Sequence, residues 1–431
     1  MLQINKYPEI KYWRSLINRP SILQEDLEAQ VKLIFNDIEQ NGDAAVVDYT
    51  LKYDGVQLET FLVSPSELNT SKNLLTDELI AAIELAKNNI EKFHVSQIEN
   101  SNVIETSIGV SCWRENRPIE NIGIYIPGGT APLFSTVLML GIPAKIAGCK
   151  EIILCTPPNK EGKINPAILY TAQLLGINKI LKIGGIQAIA ALSVGTQTVI
   201  KVDKIFGPGN QYVTAAKKYA LNYKVAIDMP AGPSELLIIA DKYSNAEFVA
   251  ADFLSQAEHG TDSQVILLSD CEDKLVEIIQ HILSQVEEIP RKAIALKAIE
   301  NSSIILLKNI DACLDFSNLY APEHLILAVE KPINFVSSIQ HAGSVFLGKY
   351  SCESAGDYAS GTNHTLPTNG YARNYSGVSL DSFVKKITFQ EISEIGIQNI
   401  GPSIELMADA EQLVAHKNAV SVRLKSLNKD V

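Results

Sequence analysis

Gln256 and His259 stand three residues apart in "LSQAEHG" (254–260), with the acid Glu258 between them. On a helix such positions share a face, so an amide and an imidazole would point the same way. Only 7 of the 431 residues are His, and four of them fall in polar clusters of this kind. "YAPEHLILA" (320–328) sets Glu323 beside His324 just ahead of an apolar run. "ESAGDYASGTNHTLPT" (353–368) reads as a long polar loop with Asp357 and His364. "AEQLVAHKNAV" supplies Glu411 and His416 near the C-terminal end, and "MPAGPSE" (229–235) reads as a rigid turn presenting Ser234 and Glu235 ahead of a strand. Imidazole with carboxylate is a donor set for a divalent metal, zinc by default. No HExxH or CxxC spacing occurs, so a metal here would gather ligands from distant segments. Each cluster also has a plainer reading: His as a helix cap, Asp357 as a turn brace, Glu411 as a solvated helix face. His94, His281 and His341 offer nothing beyond it.

Three glycine-rich loops form a second constellation: "PGGTAP" (127–132), "GGIQA" (184–188) and "GPGNQYV" (207–213). The last resembles a dinucleotide fingerprint, with Tyr212 where the third glycine belongs and Asp228 about 20 residues on, as a ribose-binding acid would be. One such turn means little; three in consecutive crossovers favour a phosphate or nucleotide site.

The elements that must position these residues show in the hydrophobic pattern. The apolar runs "IGIYI" (122–126), "EIILC" (151–155), "KILKI" (179–183) and "DKIFG" (203–207) alternate with helical stretches. A second series follows: "LLIIA" (236–240), "VILLS" (265–269), "SIILL" (303–307), "HLILA" (324–328) and "SVFLG" (344–348). Such alternation signals βαβ units and parallel sheets, whose ligands bind beyond the carboxyl ends of the strands. The fold expected is α/β, with two Rossmann-like, incomplete doubly wound modules and small helical extensions at both ends. The boundaries expected are a helical extension over 1–23, a larger discontinuous α/β domain over 24–121 plus 233–379, a second α/β domain over 122–232, and a helical tail over 380–431. Within the first hundred residues the spacing predicts helices over 25–42 and 76–94, the latter capped by Thr76.

Composition narrows the function class. With 37 Lys+Arg against 49 Asp+Glu, the net charge is −12, and no basic cluster offers a nucleic-acid footprint. No signal peptide or membrane-length apolar run is visible, so a cytoplasmic protein is expected. The six Cys show no framework spacing and read as reduced, buried hydrophobes. A thiol at Cys149 or Cys155 that traps an aldehyde is the chemical alternative.

Taken together, "YIPGGTAPLFSTVLMLGIPAKIAGC", "VDKIFGPGN", "IDMPAGPSE", "LSQAEHG", "PEHLI", "SAGDYASGTNHTLPT" and "AHKNAV" closely resemble the histidinol dehydrogenase family from about 125 to 420, in order; the N-terminal hundred residues match more loosely. The resemblance implies oxidation of L-histidinol through L-histidinaldehyde to L-histidine with two NAD, the end of histidine biosynthesis. It implies one zinc per subunit on Gln256, His259, Asp357 and His416, the last from the partner subunit of an intertwined homodimer. It implies substrate contacts at Ser234, His324, His364 and Glu411 besides the metal ligands, NAD contacts at Tyr125, Gln187 and Asn210, and a catalytic pair of Glu323 and His324. His324 would be the general base, and Glu323 would activate water for the aldehyde step. Two rivals are a zinc hydrolase, which leaves the three glycine loops without a purpose, and a ligand-binding paralogue with a structural metal.

Overall fold

A computed structural model describes residues 3–19, 25–128, 132–230 and 232–427. The middle of the "PGGTAP" loop, Ala231 and residues 20–24 lie outside the described residues. The chain divides into a larger unit, residues 1–97 with 119–382, and a smaller one, residues 98–118 with 383–431.

The larger unit is built on two all-parallel sheets. The strands Asn121–Tyr125, Glu151–Cys155, Lys179–Leu181, Lys204–Phe206 and Ala226–Ile227 lie in spatial order third, second, first, fourth, fifth. Glu235–Ala240, Gln264–Ser269, Ser303–Leu306, His324–Ala328 and Ser344–Leu347 repeat that order in the second sheet. Among the described residues, both are Rossmann-like doubly wound modules with no strand beyond the fifth on the far side. In the second sheet Leu236 and Ile238 pack with Val249, Phe253 and Ile278 on one face. Leu237 and Ile239 pack with Trp13, Leu314 and Phe316 on the other. A sheet buried on both faces explains why its strands read as unbroken apolar runs.

The helix Asp77–Val95 is capped by the Thr76 side chain, which accepts from the Leu79 N–H. The helices Glu25–Asn41 and Asp43–Asp54 carry Ile34, Phe35, Ile38 and Tyr49 into the core of the five-stranded sheet, beside Ile183 and Ile189. They therefore join the module expected to begin at 122, not the larger one. Two other boundaries differ from the sequence reading. The N-terminal extension, expected to be helical, starts with the strand Ile4–Lys6, which extends the six-stranded sheet in parallel beside Ser303–Leu306; three residues are too few to show a period. The expected helical tail contains the strand Val384–Ile392, paired antiparallel with Val110–Pro118. Residues 98–118, which the sequence placed in the larger α/β domain, thus join a three-stranded sheet of the smaller unit. The helices Glu394–Ala410 and Val414–Leu427 complete that unit. Among the described residues no helix is long and apolar enough to cross a membrane.

Candidate active site

The reversal of strand order opens a crevice at the carboxyl edge of the five-stranded sheet, between its first and fourth strands. A cavity of ≈ 1060 Å³ sits there, lined by Tyr125, Gln187, Asn210, Gly128 and Asp54. Tyr125 ends its strand and accepts from the Gly185 N–H through its hydroxyl at 3.2 Å. The Asn210 amide oxygen caps the helix Gln211–Ala220, accepting from Tyr212 and Val213 at 3.1 Å each. Its NH₂ is left over for a ligand. Gln187 donates to Asp54 at 3.3 Å, while its buried amide oxygen has no partner. Gly207 is obligatory: its φ is +130°, and a Cβ there would lie 2.1 Å from the Tyr125 carbonyl oxygen. Asp228 is not the ribose acid its spacing suggests. It is ion-paired with buried Lys217 and accepts from the Gly207 and Met229 N–H groups at 2.8 and 2.7 Å. The acids that do line this cavity are Asp54 and Glu67, the latter paired with Lys182.

A second cavity, ≈ 900 Å³, is lined by Asn210, Ser234, His259 and Arg19 among others. Asn210 borders both. The second sheet contributes to this region from its amino edge, the reverse of the expected side: Glu235 and His324 are the first residues of adjacent strands. The helix Ala246–Ala257, capped by Asn245, buries Phe253, Leu254 and Ala257. Gln256 lies in its last turn and His259 two residues past its end, where the His259 N–H bonds the Gln256 carbonyl at 3.2 Å. Both polar atoms of the Gln256 amide are buried without a partner.

The segment containing Asp357 is a short helix, Glu353–Tyr358, and not the polar loop expected. Gly356 lets it lie against Phe346, whose ring a Cβ would meet at 2.6 Å. One turn before Asp357, and so on its face, stands Glu353, which the sequence reading passed over. Its carboxylate is fully buried with both oxygens unpartnered. Donor atoms of His259, Glu353 and Asp357 lie within 4.8 Å of one another. Burial pushes Asp357 up to about 7 and holds Glu353 and Glu323 well above the usual carboxylate range, the neighbouring acids adding to it for the two glutamates. A buried and a half-buried acid crowded beside an exposed imidazole, with the orphaned Gln256 amide on the same turn as that imidazole, form a donor set that fits a divalent cation.

His324 faces this group. Its Nδ1 lies 3.7 Å from Glu323 and 3.8 Å from Glu353; its Nε2 lies 3.8 Å from Asp357. Neither nitrogen has a side-chain hydrogen-bond partner, the Glu235 backbone lies against the ring, and the ring stacks on Phe346 at 5.9 Å. Burial drives its imidazole down to about 3, with His259 adding to the effect, so it is neutral at ordinary pH. Ala321, in the left-handed region at φ 55°, turns the chain from the helix Ile310–Tyr320 into this strand, a strained conformation for a residue with a Cβ. His364 is already engaged: its Nδ1–H donates to the Asp357 carbonyl and its Nε2 meets the Thr136 hydroxyl, both at 2.9 Å. It braces Asp357 here. Glu411 and His416 belong to the smaller unit and are exposed.

An ion pair fixes the Ser234–Glu235 turn. Arg19 bonds Glu235, and also the Tyr320 carbonyl at 2.8 Å; the Tyr320 hydroxyl bonds Glu235 at 2.9 Å. The Glu235 N–H in turn donates to Glu323 at 3.0 Å. Arg19→Met strands a buried carboxylate and is expected to cost about 3 kcal/mol. Urea unfolding checks this; a variant as stable as the wild type would dissolve the argument.

The sequence model of the family described as histidinol dehydrogenase matches residues 17–424. A histidinol dehydrogenase of Bacteroides thetaiotaomicron is 55% identical over 427 residues, 99% of this chain and 100% of that one. Another, from Bacteroides fragilis, is 53% identical over 428 residues, with 99% and 100% covered. The crystal structure of histidinol dehydrogenase from Elizabethkingia anophelis superposes with a TM-score of 0.98 at 63% identity, over 99% of each chain. The match spans both sheets and every cluster singled out above: the chain belongs to the histidinol dehydrogenase family, a family of oxidoreductases.

Proposed function

We propose that this protein oxidises L-histidinol through L-histidinaldehyde to L-histidine with two NAD, closing histidine biosynthesis in the cytoplasm. The observation that carries the reading is His324: a buried, neutral imidazole with neither nitrogen bonded to a side chain, set between two glutamates and a cluster of metal donors. A neutral imidazole takes the hydroxyl proton while the two electrons leave as hydride from the carbon. Tyr125, Gln187 and Asn210 would hold NAD, which would supply the hydride acceptor.

The second oxidation needs an oxygen from water, because an aldehyde has no O–H to deprotonate. Glu323, held by the Glu235 N–H, accepts the proton as water adds to the aldehyde carbon. A thiol route is disfavoured by burial, which pushes Cys149 up to about 11 and raises Cys155 still further; neither is a thiolate at neutral pH. Gln256, His259 and Asp357, with His416 of the partner subunit, would hold one zinc. Bound there, zinc would orient the substrate through its imidazole and amine and favour negative charge on nearby oxygens. Ser234 and His364 of this chain, with Glu411 of the partner subunit, would complete the substrate contacts in an intertwined homodimer. The exposed Leu406, Met407 and Val414 near His416 suit a buried subunit contact.

The test is absorbance at 340 nm with L-histidinol and NAD, before and after chelation. Two NADH per histidinol, lost on chelation and restored by zinc, is expected. Hydrolysis of an ester or amide without NADH would replace this reading with a zinc hydrolase.

A further inference from the structure

We propose that Glu353 is the positioning residue of the base: it accepts the Nδ1–H of His324 and so keeps Nε2 unprotonated, facing the metal donors and the substrate. This rests on the reading of His324 as the base.

The argument starts from hydrogen-bond supply. A neutral imidazole carries one N–H, and in a dry interior that donor needs an acceptor. Nδ1 has two carboxylates in reach, Glu323 at 3.7 Å and Glu353 at 3.8 Å; the Glu235 backbone also lies against the ring, but a carbonyl carries no charge and is the weaker acceptor. The Glu323 oxygen nearest to it is the one already accepting the Glu235 N–H at 3.0 Å. Glu353 has both oxygens buried with nothing bonded to either. A small rotation of either side chain closes the gap to a hydrogen bond, as catalytic contacts tighten on binding. On the other side, Nε2 faces Asp357. With a divalent cation among the neighbouring donors Glu353 is ionised, and a carboxylate on one ring nitrogen fixes the tautomer and leaves the second nitrogen as base.

Glu353 also stands within 4.8 Å of the donor atoms of His259 and Asp357, so a metal-ligand role is the competing assignment. The two differ in what is lost. An orienting carboxylate sets the rate of proton removal in both oxidations and leaves the metal in place. A ligand takes the metal with it.

The experiment compares the holoenzyme with Glu353→Gln and Glu353→Asp. A Gln amide carries no negative charge to hold the Nδ1–H and can offer its NH₂ to Nδ1, which shifts the proton toward Nε2, so kcat should fall on the order of 10³-fold for both histidinol and added histidinaldehyde. Zinc content by plasma emission and histidinol affinity by calorimetry should stay at wild-type level, and Glu353→Asp should recover part of kcat. Zinc lost in step with activity, or unchanged kcat, overturns the proposal. Should Glu353→Gln not fold, ¹⁵N spectra of histidine-labelled wild type, with His324 assigned from a His324→Asn variant, decide instead. A proton on Nδ1 supports the proposal, and one on Nε2 overturns it. That measurement holds even if wild type proves inactive on histidinol, which would refute the functional reading separately.

Discussion

Replacing His259 or Asp357 with Ala is expected to remove bound zinc and nearly all turnover, with the fold intact. His259 and Asp357 hold two of the three donor atoms that converge within 4.8 Å. Losing one leaves a weaker, misplaced site, and the loss should exceed the roughly 10–100-fold typical of an outer partner of a metal ligand. The fold should survive because neither side chain carries the core. Asp357 in particular is a half-buried acid pushed up to about 7, beside the fully buried Glu353, which is also held well above the usual carboxylate range. Removing it relieves that crowding when no cation is present, so metal-free Asp357→Ala should unfold in urea no earlier than metal-free wild type. Strained sites of this kind commonly trade stability for function. Plasma emission on the purified variants reads the metal directly. Full occupancy with normal turnover would remove both residues from the ligand set.

Much of this architecture is legible in the sequence because burial on both faces writes strands as continuous apolar runs. The Gln256–His259 pair is legible because a helical turn fixes its spacing. What escaped detection has physical causes. Glu353 was hidden because Ser354, Gly356 and Ser360 read as a loop, whereas Gly356 is there so the helix can press on Phe346. Treating 353–358 as a helix would have exposed the i, i+4 pair Glu353 and Asp357. Asp228 had the spacing of a ribose acid, but spacing does not reveal that Lys217, one helix away, claims it. Asp54 faces the cavity from a helix far outside the glycine loops. The strand Val384–Ile392 was missed because "VKKITFQEI" is too polar to read as a strand and gains its partner from residues 110–118.

The two members of "PEH" should separate when mutated. In the proposed reaction each oxidation removes a proton as hydride leaves, so His324 should serve both; only the second consumes water, so Glu323 should matter chiefly there. Glu323 is fully buried and held well above the usual carboxylate range, mainly by burial. It can act as base only with positive charge close by, such as a divalent cation among the neighbouring donors provides. Glu323→Gln keeps the shape and loses the base, at a typical cost of roughly 10²–10⁴-fold. This variant should therefore convert histidinol to the aldehyde and stall, releasing one NADH per site in a single turnover with excess NAD. His324→Ala should slow oxidation of histidinol and of added histidinaldehyde alike, by a similar factor. Assays started from the aldehyde place each loss on its step. Two rapid NADH equivalents from Glu323→Gln would mean that another group activates the water. The buried thiols are poor candidates, since Cys149 is pushed up to about 11, and attention would move to water activated at the metal.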